Sequence, residues 1–199
     1  MKIGVPKEIK VHEYRVGLAA ADVRMLVAAG HGAIVETGAG AGIGLTDSDY
    51  RNAGATIVDS PAAVFEQAEL VIKVKEPQLS EVKLLRRGQI LFTFLHLAAD
   101  PALTDALCAS GATAIAYETV TADDGTLPLL RPMSTVAGRM SIQVGAYCLQ
   151  KSSGGSGILV GGLPGAPPAR VVRLGGGGAG APRRGAHRRR GDGQRLDRR

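Results

Sequence analysis

The chain has 199 residues, 45% of them hydrophobic and 21% charged, with 24 Lys and Arg against 18 Asp and Glu for a formal net charge of +6. That length holds one sizeable core but not two full α/β domains. No run approaches the roughly 18 uninterrupted apolar residues of a membrane helix, and the opening MKIGVPKEIK is too charged for the apolar stretch of a secretory signal, so a cytoplasmic location is expected.

Short apolar runs alternate with segments of helical period, the pattern of βαβ units and a parallel sheet. In chain order the sequence predicts a strand from Ile3 to Pro6, a helix from Ala20 to Ala29 closed by Gly30, and strands from Ala33 to Glu36 and from Thr56 to Val58. A helix from Pro61 to Ala68, started by Ser60, leads to a strand from Leu70 to Lys75, and a weaker helix from Ser80 to Arg87 stands before Gly88. The strand from Ile90 to Leu95 follows. Then come a helix from Pro101 to Ala109, started by Asp100 and closed by Gly111, and a strand from Ala112 to Ala116.

From Ser134 to about Ser152 the pattern becomes one long helix, with Val136, Met140, Val144, Tyr147 and Cys148 at spacings of three and four. A Gly/Ser/Pro-rich loop follows, and Val171 to Leu174 reads as a strand running into Gly175 to Gly178. The fold class expected is α/β, a doubly wound parallel sheet of Rossmann type.

The charge is unevenly spread. Residues 170–199 hold ten arginines and only two acids, Asp192 and Asp197, so residues 1–169 are slightly acidic and offer little to nucleic acid. Cys108 and Cys148 stand in apolar stretches with no second Cys or His beside them, which reads as two reduced, buried thiols and no metal site.

In an open parallel sheet, ligands bind beyond the carboxyl ends of the strands. Three strands end in polar residues: Lys75 with Glu76, His96, and Tyr117 with Glu118. The spacings from Lys75 to His96 and from His96 to Tyr117 are both 21, about one strand, turn, helix and turn, so in a parallel sheet these residues emerge on one edge. Each also has a plainer role: His96 as a histidine at a helix start, Lys75 and Glu76 as a surface ion pair, Glu118 as a cap. Arg15 sits between the first strand and the first helix, where its planar fork can hold a small carboxylate. An Arg, a Lys and a His around one crevice suit a small 2-oxo or 2-amino acid, with the imidazole carrying a proton near neutral pH.

Gly175-x-Gly177-x-x-Gly180 follows a predicted strand, as a dinucleotide fingerprint does, but Pro182 and an arginine run stand where its helix is required.

The strings GVPKEIK, EYRVGL, LVIKVKEP, GQILFTFLHLAA, IAYETV, LPLLRPMSTVAGRMSIQVGAYCL and GILVGGLPG occur in order from the start to about Gly177. Together they resemble the alanine dehydrogenase family, and more weakly the transhydrogenase α subunit. The resemblance implies interconversion of L-alanine and NAD with pyruvate, ammonia and NADH. It implies that Arg15 grips the substrate carboxylate, Lys75 binds near the reacting carbonyl or amine, His96 is the acid/base, and Glu118 orients them. Met133 and Ser134 match the cofactor-contacting stretch, with Ser134 offering a hydroxyl and a helix start to a phosphate, and Gly175 and Gly177 are the remaining candidate NAD contacts. It also implies a homo-oligomer, commonly a hexamer.

The implied division is a substrate-binding domain over 1–133, a connecting helix over 134–153, the start of an NAD-binding domain over 154–178 and a disordered Arg/Gly-rich tail over 179–199. The tail, almost without aliphatic residues, resembles GC-rich coding sequence read out of frame. A frameshift near Gly178 is therefore expected, and with it a chain of little dehydrogenase activity. The rival reading is a non-enzymatic small-acid-binding module whose basic tail holds nucleic acid.

Overall fold

A computed structural model describes residues 1–169 of the chain. The strand expected from Val171 to Leu174, Gly175, Gly177 and the tail lie outside the described residues. The chain separates into two compact units, Met1–Val120 and a second beginning at Thr121.

The first unit is built on six strands, β1 (Lys2–Val5), β2 (Gly32–Glu36), β3 (Thr56–Val58), β4 (Leu70–Ile72), β5 (Ile90–Thr93) and β6 (Thr113–Ala116). They lie in the order β3-β2-β1-β4-β5-β6, and every pairing is parallel. The chain works outward from β1 to β3, crosses back, and works outward again from β4 to β6. The reversal therefore falls between β1 and β4, the position at which a doubly wound sheet opens a crevice.

Both faces of the sheet are covered. Val5 pairs with Val35 on one face, where they join Val23 of α1 (Ala20–Ala28) and Tyr50 and Ala53 in and after α2 (Asp47–Asn52). Gly4 pairs with Val71, and Val71 with Leu91, on the other. Phe65 of α3 (Pro61–Gln67), Val82 of α4 (Leu79–Val82), and Leu103 and Leu107 of α5 (Pro101–Ser110) pack there.

The caps read from the sequence form as bonds: Ser60 Oγ accepts from Ala63 N at 3.3 Å, and Asp100 Oδ1 from Leu103 N at 3.0 Å. Gly111 closes α5 with φ of 68°.

Three expectations need correction, and one short helix was not read from the sequence. The helix expected from Ser80 to Arg87 is a single turn, because Arg86 Nη2 and Gln89 Nε2 reach back to the carbonyls at the end of α3, both bonding Ala68 O, and pull the chain out of helical path. α2 was not expected; it is six residues long, too short to show a period, and is started by Thr46, whose side chain accepts from Asp49 N. The long helix of the second unit, α6 (Arg131–Cys148), begins three residues before Ser134, with Pro132 in its first turn. Cys108 and Cys148 are free but exposed, since neither lies on the buried stripe of its helix.

Gly4 is where the sheet tolerates no side chain, because a Cβ there would stand 2.6 Å from Ala68 Cβ and 2.7 Å from Val64 Cγ1. Gly4→Ala is expected to cost about 1–3 kcal/mol by overpacking, read from urea unfolding. Gly32→Ala, whose Cβ would meet only Lys2 Cγ at 3.7 Å, should stay within about 0.5 kcal/mol of the parent.

Candidate functional site

The loops leaving β1 and β4 meet at the reversal point through charge. Lys73, one residue past β4, is 1% exposed and places its ammonium 3.2 Å from Glu8 Oε2 and 2.7 Å from Glu81 Oε1. Glu8 comes from the loop after β1, and Glu81 from α4, where its other oxygen accepts the N–H of Gln78 at 2.8 Å. Glu8 Oε1 takes the main-chain N–H groups of Val74 at 2.6 Å and Lys75 at 3.4 Å. Thr93 Oγ1 of β5 donates to Lys75 O at 2.9 Å. Lys75 is half-buried, and its backbone is gripped from both sides.

Arg15 lies further along the loop after β1. Its Nε and Nη2 meet Glu13 Oε1 and Oε2 at 2.8 and 2.5 Å, a two-point pair, and its own N–H bonds Glu13 Oε1 at 2.9 Å. That pair holds the Glu13 carboxyl below the ordinary value, and the Lys75 charge adds to the effect. Glu13 raises Arg15 in return, with a further push from Glu8. Glu13 thus stands between the charges of Arg15 and Lys75, and Arg15 between those of Glu13 and Glu8.

His96 follows β5 in the left-handed region, φ 51° and ψ 34°, an uncommon conformation for a residue with a side chain. The Glu118 carboxylate, just past β6, holds it there by accepting the N–H groups of Leu95 at 3.1 Å and His96 at 2.7 Å. The ring stacks on Phe94 with centroids 5.8 Å apart and planes 10° from parallel. Beside it, burial pushes the Glu76 carboxyl up, but its ion pair with Lys10 and the field of His96 bring it below the ordinary value. Tyr117 packs edge-on against Phe92 and Phe94, and burial raises its phenol, aided by the Glu8 charge.

Arg15, Lys75, His96 and Glu118 therefore all belong to the first unit and all leave the carboxyl edge of its sheet. Glu13 pairs with Arg15, Glu8 bonds Lys75 N, and Glu76 stands in the field of His96. Sequence reading passed over Glu8, Glu13, Lys73 and Glu81. The visible signal was Lys73 itself, a charge between Ile72 and Val74 in an otherwise apolar strand run.

Met133 and Ser134 lie in the second unit. Ser134 stands within the first turn of α6 and its N–H already bonds Leu130 O at 3.0 Å, so it offers a hydroxyl but not the free helix start that was expected. Gly175 and Gly177, the other candidate contacts, lie outside the described residues.

A doubly wound, all-parallel six-stranded sheet with helices on both faces defines a Rossmann-like α/β domain. More particularly, the chain belongs to the alanine dehydrogenase/PNT family. Residues 4–137 match the N-terminal domain of that family and residues 141–184 its C-terminal domain. The chain is 58% identical over 177 residues to an alanine dehydrogenase of Halomonas elongata, covering 89% of this chain and 48% of that protein. To the alanine dehydrogenase of Mycobacterium tuberculosis strain H37Rv it is 53% identical over 180 residues, covering 90% and 48%. A solved L-alanine dehydrogenase superposes with a TM-score of 0.73 at 53% identity, over 84% of this chain and 46% of the other. A transhydrogenase from Sinorhizobium meliloti is more distant, with a TM-score of 0.64 and 26% identity over 74% and 44%. The chain spans about half the length of the curated relatives it matches.

Because Arg15 depresses the Glu13 carboxyl in the folded state, the contribution of this pair is complete above the ordinary glutamate pKa of about 4.3 and is lost as the pH falls below it. Urea midpoints of the parent should therefore drop more steeply than those of Glu13→Gln between about pH 5 and pH 3. Glu118→Ala should accelerate amide exchange at Leu95 and His96 and cost about 1 kcal/mol, measured by exchange and by urea unfolding.

Proposed function

We propose that the first unit is the substrate-binding half of an alanine dehydrogenase and takes a small 2-oxo or 2-amino acid, pyruvate or L-alanine. The observation that carries this reading is the shared edge: Arg15, Lys75 and His96 leave β1, β4 and β5 on one side of a parallel sheet, around its reversal point. A doubly wound sheet binds ligand at that place.

The chemistry of the groups suits such a ligand. Arg15 is a permanently charged cation suited to a carboxylate, and in the structure its Nε and Nη2 are oriented by Glu13. Lys75 is a point charge suited to the carbonyl oxygen, and its ammonium has no ion pair among the described residues. His96 is exposed at the rim, where its imidazole can pass a proton to or from a ligand amine or water. Glu118 acts on His96 through the backbone, fixing where the ring starts.

NAD is the hydride partner implied by this reading, with Met133, Ser134, Gly175 and Gly177 as its candidate contacts. Hydride transfer depends on a nicotinamide held against the substrate carbon, an arrangement worth about 7–11 kcal/mol in favourable cases. No step through the cofactor follows from the residues described.

The purified chain should bind pyruvate in a calorimetric or NMR titration, and should bind methyl pyruvate, which lacks the carboxylate charge, far more weakly. Arg15→Ala and Lys75→Ala should each weaken pyruvate at least about tenfold, the size of a lost charged hydrogen bond. His96→Ala should retain most of the affinity, since its role is proton transfer. Equal affinity for the acid and its ester, or indifference to both cation substitutions, overturns the reading.

A further inference from the structure

We propose that Glu8 is a positioning residue for Lys75, setting the point at which that side chain leaves the sheet. The proposal rests on the reading of Lys75 as a ligand-holding group, and it names a residue whose effect on the ligand is indirect.

The argument begins where β4 ends. Lys73 N still bonds Phe92 O at 3.1 Å and Val74 O accepts Phe94 N at 3.3 Å, so the contact with β5 runs on past β4, while Val74 N finds its acceptor in a side chain. β1 has already ended at Val5 and presents no carbonyl there. Glu8, three residues past β1, fills the gap with a side chain: its Oε1 accepts Val74 N at 2.6 Å and reaches Lys75 N at 3.4 Å. Thr93, fully buried, takes Lys75 O from the other flank. The backbone of Lys75 is therefore held at both polar groups by neighbouring side chains, beyond the reach of the regular ladder.

The carboxylate that does this is 3% exposed. A buried anion needs a counter-charge, and Lys73 supplies it through Oε2 at 3.2 Å while Glu81 holds Lys73 from behind at 2.7 Å. A purely structural Glu8–Lys73 pair would leave Oε1 to any nearby donor. Here it goes to consecutive main-chain donors at the residue whose placement matters.

Glu8→Leu tests the idea, because it removes the acceptor of Val74 N and Lys75 N, which a glutamine oxygen would keep, while Lys73 retains Glu81 as its partner. In the full 199-residue chain, labelled with 15N, the Lys75 amide should move upfield and exchange faster, while the His96 amide, bonded to Glu118, stays in place. Pyruvate affinity should fall about tenfold in the parent background but not change further when Lys75→Ala is already present, since coupled residues are not additive. If Glu8→Leu alone does not fold, Glu8→Leu with Lys73→Met and Glu81→Gln, which buries no unpaired charge, replaces it and is read in the same way.

An unmoved Lys75 amide, or an equal loss of affinity with and without Lys75, overturns the proposal. If the parent takes up no pyruvate at all, the ligand reading fails by itself, and the Lys75 amide alone decides whether Glu8 sets its place.

Discussion

All six strands of the first unit run the same way, and that constraint determines where chemistry can collect. Parallel neighbours need a crossover for every connection, so each strand hands its chain to a loop at the same edge of the sheet. The loops after β1, β4, β5 and β6 bring Glu8, Arg15, Lys73, Lys75, His96 and Glu118 to that edge without any of them being close in sequence. The order of strands adds the rest. Because β1 and β4 are neighbours although almost seventy residues apart, a carboxylate from one end of the unit can meet a cation from its middle.

Such a gathering of charge requires internal balance. Lys73, Glu8 and Glu81 are nearly inaccessible to water, and an ion moved from water into a protein interior loses several kcal/mol of hydration unless neighbours replace it. The replacement here is shared: two carboxylates around one ammonium, with the leftover oxygens bonded to main-chain N–H groups at Val74, Lys75 and Gln78. Glu36, at the end of β2, is a further buried carboxylate. Its acidity is weakened by burial, against the pull of Lys7 N at 2.8 Å and of Lys73. The carboxyl edge thus carries a buried network in which one enclosed ammonium is shared by two carboxylates.

Much of this fold was legible in the sequence because its local signals agree with its global arrangement. Apolar runs bounded by turns located all six strands to within a few residues, and Ser60, Asp100 and Gly111 marked helix ends that the structure closes with the expected bonds. What was not legible came from distance. Nothing near Arg86 says that its guanidinium caps the end of α3, and a six-residue helix such as α2 shows no period. The equal spacing of Lys75, His96 and Tyr117 revealed a common edge, but the partners of those residues could not be found by spacing. Glu8, Glu13 and Glu81 look like ordinary surface acids until the sheet is assembled around Lys73. Glu118 was noticed only as a polar strand end or through likeness to known dehydrogenases, whereas its contact with the His96 main chain is a property of the folded state.

The left-handed turn at His96 carries a separate lesson about what this position can accept. A Cβ in that region crowds its own backbone, and branching at that carbon makes the crowding worse. Asparagine and aspartate tolerate it, glycine is indifferent to it, and valine, isoleucine and threonine are strongly disfavoured. The corner after β5 thus filters its residues by shape before any question of acidity arises. Its mutational spectrum is narrowed by the bend of the chain alone, whatever the side chain does beyond it.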